Sequence, residues 1–79
     1  MNTHYERRLR WACRRGLLEL DVVLSRFWER EFAQLDNAAR RVFEELLSYA
    51  DNDLWYLIAT PDAPVSEQHI DIIKKLREV

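Results

Sequence analysis

A single glycine, Gly16, and two prolines, Pro61 and Pro64, interrupt 79 residues. Sheet proteins of that length need many tight turns, and such turns draw on Gly, Asn and Pro. The chain therefore has few places to reverse sharply, and long helices joined by short loops meet that limit. Hydrophobic residues make up 48% and charged residues 33% of it, a balance that folds. The length supports one helical domain, residues 1–79, around one core. A core so small cannot also house a deep, dry active site at little cost. Size thus favours a surface-acting protein over an enzyme.

Apolar spacing divides the chain into about five helices. Thr3 and Glu6 form a capping box, which predicts a helix starting near His4. Tyr5, Leu9, Ala12 and Cys13 then recur at helical spacing. Gly16 lowers helix propensity by about 1 kcal/mol relative to Ala, so a helix end or tight corner is expected there. A second helix is predicted from about Leu17 to Gln34. Leu17, Leu20, Leu24, Phe27, Glu31 and Leu35 trace its stripe, and Val23, Trp28 and Phe32 broaden it. Asp36 is the expected N-cap of a third helix. Its apolar face holds Ala39, Val42, Phe43, Leu46, Leu47 and Ala50, while Arg40–Glu44 and Arg41–Glu45 are spaced as exposed pairs. Asp51-Asn52-Asp53 reads as a cap and turn cluster before a short fourth helix, Leu54 to Ala59. Ser66 is expected to cap a fifth helix with Ile70, Ile72, Ile73 and Leu76 inward. The fold class is all-α, a single small bundle.

Little in the sequence carries chemistry of its own. Cys13 is the single cysteine, which excludes an internal disulfide and fits a reducing, cytoplasmic compartment. No apolar run reaches the length of a membrane span, and Met1 to Arg10 lacks a signal-peptide core. His4, His69 and Cys13 lie too far apart in sequence to suggest a metal site. Ser25, Ser48 and Ser66 stand in no nucleophile-elbow pattern. One glycine cannot build a phosphate-binding loop, so no dinucleotide is expected to bind through a fingerprint of this chain. Cys13 reads as a core filler and His69 as a hydrogen-bonded, half-buried side chain.

Charge is unevenly placed. Residues 1–41 carry nine Arg against six acids, and residues 42–79 carry three basic groups against eight acids. Arg7, Arg8, Arg10, Arg14 and Arg15 concentrate the excess. A nucleic-acid reading would prefer a basic domain, whereas the net charge here is −2. Planar, bidentate arginine suits a carboxylate-bearing protein surface.

The segment Trp11-Ala12-Cys13-Arg14-Arg15-Gly16-Leu17-Leu18-Glu19-Leu20-Asp21 is the most informative. A turn at Gly16 would set Glu19 in the first turn of the second helix, where the dipole favours an anion. Arg15 is expected beside it across the corner. One reading is an outward charged knob that docks on a partner. The other is an intramolecular Arg15–Glu19 pair of roughly 0–1 kcal/mol.

That segment resembles the succinate dehydrogenase FAD assembly factors, whose hallmark is Arg-Gly-x-x-Glu, here Arg15, Gly16 and Glu19. Phe27-Trp28, the helix from Arg41 to Leu47, and Asp51-x-Asp53-Leu54-Trp55 extend the likeness over roughly residues 5–77. The resemblance implies a five-helix bacterial chaperone, not an enzyme. It implies binding to the flavoprotein subunit of succinate dehydrogenase or fumarate reductase, and covalent attachment of the FAD that the subunit carries. Arg15, Gly16 and Glu19 would be contacts, with Arg8, Trp11 and Asp21 as further candidates. The chain is expected to act as a monomer. Two rival classes remain at this stage: an antitoxin-like interaction module, which would co-purify with a toxin, and a nucleic-acid-binding bundle, whose binding would fall steeply with salt.

Overall fold

The computed structural model describes residues 3–79. Five helices follow one another: α1 Thr3–Ala12, α2 Leu18–Glu31, α3 Asn37–Leu47, α4 Asp51–Ala59 and α5 Ile70–Glu78. A one-turn 3-10 helix, Phe32–Gln34, extends α2. No strand occurs among the described residues. α1 packs on α3, α2 on α5, α3 on α5 and α4 on α5.

One core joins all five helices. Leu20, Leu24 and Phe27 of α2, Phe43 and Leu46 of α3, Leu54 of α4, and Ile73 and Leu76 of α5 are almost wholly buried in it. Phe27 and Phe43 meet at 4.8 Å between ring centroids, and Phe32 stacks on Trp28 at 3.8 Å. The wide apolar face expected for α2 is the reason it can touch several neighbours.

The helix ends differ from expectation in instructive ways. Thr3 already lies inside α1, so it does not act as the expected cap. The predicted run from Leu17 to Gln34 tightens to 3-10 geometry at Phe32, where Leu35 closes the last turn by donating to the Phe32 carbonyl at 3.1 Å. Asp36 does cap α3, accepting from the Ala39 amide at 2.8 Å. Asp51 and Asp53 are not turn residues; they form the first turn of α4. Ala50, expected on the α3 face, is exposed and caps α4 instead. α5 begins at Ile70 after a turn in which the His69 amide donates to the Ser66 carbonyl at 2.9 Å, so Ser66 opens the turn and does not cap the helix.

The expected local ion pairs give way to tertiary ones. Arg40 turns to Glu6 of α1 at 3.4 Å and lies over the Phe32 ring at 4.4 Å from its centroid. Glu44 accepts from the Tyr5 hydroxyl at 3.0 Å, and Glu45 meets His69 Nε2 at 2.8 Å. An exposed i,i+4 pair is worth only about 0.3–0.5 kcal/mol. Partners on other parts of the bundle take these side chains instead.

No residue among those described adopts positive φ. The usual glycine C-cap needs the left-handed conformation, so these helices close their C-termini by other means. Arginine serves repeatedly. Arg77 of α5 donates through Nη2 to the Leu57 and Thr60 carbonyls at the end of α4, at 2.8 and 3.1 Å. Arg15 does the same for two other helices.

Candidate functional site

The corner between α1 and α2 carries the singular residues of the sequence. α1 loosens at its end, where the Cys13 and Arg14 amides donate to the Arg10 and Trp11 carbonyls at 3.2 and 3.0 Å. The Arg15 side chain then turns inward. Its Nε donates to the Ala12 carbonyl at 2.9 Å, closing α1. Its Nη1 donates to the Tyr49 carbonyl at 3.0 Å and to Asp51 Oδ1 at 3.2 Å, and its Nη2 donates to the Leu47 carbonyl. One guanidinium thus ties the ends of α1 and α3 to the start of α4. Its side chain keeps only 10% of its exposure. The cation also complements two helix C-termini, where the dipoles favour it.

This overturns the expected arrangement of the motif. Arg15 does not stand beside Glu19 facing outward; its acidic partner is Asp51, 36 residues further along. Three backbone carbonyls and a carboxylate inside the bundle outweigh one exposed glutamate. Glu19 is exposed in the first turn of α2. Asp21 is partly covered, and its Oδ1 accepts the Arg15 amide at 2.7 Å. Asp51 Oδ2 accepts the Leu17 amide at 3.2 Å. That amide first, and the Arg15 guanidinium second, hold the Asp51 carboxyl below its ordinary value.

Gly16 is exposed and has no positive φ. A Cβ built on it would meet only Asp51 Oδ2, at an ordinary 3.9 Å. The fold itself therefore has room for a side chain there. Gly16→Ala is expected to leave stability unchanged or raise it by up to about 1 kcal/mol, because alanine narrows the unfolded ensemble. Urea unfolding checks this, and a loss beyond 1 kcal/mol would show that the corner needs glycine internally.

Large apolar groups on the surface surround the corner. Trp11 is 73% exposed and Leu18 69% exposed. The Arg14 guanidinium lies 5.7 Å from the Trp11 ring centroid. Arg7, Arg10, Trp11 and Arg14 line a shallow groove along α1. Arg8 is exposed but lines a different groove, between α1 and α3 with Glu44 and Ser48. Trp11, Arg14, Gly16, Leu18 and Glu19 are thus each exposed at or beside the corner, while Arg15 and Asp21 are turned to internal work. Sequence reasoning missed Asp51 and Leu18. Leu18 had a signal, since it falls off the apolar stripe of α2.

Other reactive groups have structural roles. The Cys13 thiol is fully buried and donates to the Leu9 carbonyl at 3.3 Å; burial pushes its pKa up to about 11. Such a thiol is a poor nucleophile near neutral pH. His69 is buried against Tyr49, ring edge to ring face, and bound to Glu45. Among the described residues no group of three or more His, Cys, Asp or Glu could hold a metal, and no helix is long and apolar enough to cross a membrane.

The family model described as flavinator of succinate dehydrogenase matches residues 7–79. The chain belongs to that family. An FAD assembly factor SdhE of Coxiella burnetii is 36% identical over 73 residues, covering 92% of this chain and 89% of that protein. One from Vibrio vulnificus is 38% identical over 74 residues, covering 94% and 86%. One from Photorhabdus laumondii is 34% identical over 77 residues, covering 98% and 88%. No solved structure matches the chain significantly. The flavinator family consists of assembly factors and not enzymes, which agrees with a small bundle whose motif residues surround a corner and not a cavity.

Proposed function

We propose that this flavinator-family chain docks on the flavoprotein subunit of succinate dehydrogenase, and on that of fumarate reductase, and promotes covalent attachment of the FAD held there. Bond formation belongs to the flavin and a histidine of that subunit. This chain contributes binding energy that favours the attachment-competent conformer over others. It works as a monomer in the bacterial cytoplasm.

The observation that carries the reading is the exposure of Trp11, Arg14, Gly16, Leu18 and Glu19 in a chain matched to the family over residues 7–79. An exposed tryptophan beside arginines is the composition of an interface anchor. Glu19, free of internal bonding in the motif, accepts donors of the partner. Exposed Gly16 lets the partner backbone approach closely. Arg8 and Trp11 add contacts from α1, while Arg15 and Asp21 serve the surface from within.

Trp11→Ala and Glu19→Ala test this. Each is expected to keep the helical circular dichroism signal and to weaken affinity for the flavoprotein subunit at least about tenfold. Flavin fluorescence of that subunit after denaturing electrophoresis should fall in parallel. Unchanged affinity and flavin attachment in both variants would remove this surface from the mechanism.

A further inference from the structure

The corner that presents Glu19 is not shaped by local preference. It has no left-handed residue, and its glycine is sterically replaceable. The amides of Arg15 and Leu17 instead end on two carboxylates. Asp21 belongs to the helix that the corner starts. Asp51 comes from another helix, at the first residue of α4. Its two oxygens divide the work: Oδ1 takes the Arg15 guanidinium and Oδ2 takes the Leu17 amide, each at 3.2 Å. Among the described residues, Asp51 is therefore the one side chain that bonds both the guanidinium of the motif and the Leu17 amide just before exposed Leu18 and Glu19.

We propose that Asp51 is a positioning residue for the docking surface, acting through Arg15 and the Leu17 amide and not by touching the partner. This rests on the docking reading above. Without the carboxylate, the corner keeps its path but loses its tether to α4, so Glu19 samples several placements. A partner then selects one of them, and its apparent affinity falls by the fraction competent.

Asp51→Asn is the test, since it keeps shape and one acceptor oxygen while removing the charge. Affinity is read against the flavoprotein subunit carrying non-covalent FAD. A loss of about tenfold is expected in the otherwise unaltered chain. In a Glu19→Ala background the same change should cost little more, because the group being positioned is gone. A purely structural residue would cost the same factor in both backgrounds. In the free chain, amide exchange at Leu17, whose acceptor is Asp51, should accelerate about tenfold while Leu24, Phe43 and Ile73 keep their rates. Affinity within twofold of the parent, while Glu19→Ala weakens binding, overturns the role of Asp51 and leaves the docking reading standing. Equal losses in both backgrounds, or acceleration throughout the core, also overturn it. If Glu19→Ala itself leaves binding intact, the docking reading falls and this inference falls with it.

Discussion

Arg15→Ala should destabilise the free chain by about 2–4 kcal/mol, because it removes a nearly buried guanidinium that serves three carbonyls. The carbonyls of Ala12, Leu47 and Tyr49 would each lose that donor. A domain of this length is stable by only about 4–12 kcal/mol, so the loss is a large share. Urea unfolding of the isolated protein reads it directly. Arg15→Lys should lose about 1–2 kcal/mol, since one ammonium on a flexible stem cannot span acceptors arranged for a planar fork. An exposed contact residue would cost under about 0.5 kcal/mol in the same measurement, and a value that small for Arg15→Ala would show that the guanidinium holds nothing together. The consequence for function is direct. Lost flavin attachment in Arg15→Ala is to be read first as lost structure, whereas the same loss in Glu19→Ala is a statement about the interface.

The arginines of this chain divide into two kinds, and the division follows from its shortage of glycine. Arg15, Arg40 and Arg77 reach carbonyls at helix or turn ends, including Ala12, Leu47, Phe32 and Leu57. Those ends have no left-handed cap to close them. Arg7, Arg8 and Arg14 stay exposed along α1 and its end. Composition alone counts all of them alike as cations. Only the fold distinguishes cations used as caps from cations offered to a partner.

Helix count, the α3 cap at Asp36 and nearly the whole core were legible because they rest on periodicity and short-range capping, which a sequence displays openly. Phe27, Phe43, Leu46 and Ile73 fall on apolar stripes and are all fully buried. What was not legible depends on contacts between distant parts of the chain. Arg15 could be paired in advance with Glu19, four residues on, but Asp51 has no spacing that announces it. The same holds for Arg40, whose neighbour Glu44 is in plain view while its partner Glu6 is 34 residues back. From sequence Asp51 reads only as part of a cap and turn cluster, because Asp favours turns and caps alike; its bonds to Arg15 and Leu17 accompany a helix that begins at that residue. The motif itself was legible, but not its internal division of labour.

Phe43→Ala should cost about 3–5 kcal/mol, the range for emptying a fully buried aromatic site. Phe43 lies in van der Waals company with Phe27 at 4.8 Å and Phe32 at 6.1 Å between centroids. Truncation opens a void at the meeting point of α2 and α3, and small bundles have few other residues to collapse into it. At a total stability of about 4–12 kcal/mol, the variant should unfold at far lower urea and expose a measurable unfolded fraction. Phe43→Leu keeps most of the volume and should cost less than half as much. The pair separates stability from docking. Phe43→Leu, still folded, should support normal flavin attachment, since its side chain is sealed from any partner. Glu19→Ala should show the reverse, full stability with impaired attachment. Were Phe43→Leu to fold with near-parental stability and yet lose flavin attachment, the working surface would have to lie on the α2–α3 side of the bundle, and the run from Trp11 to Glu19 would lose its claim to it.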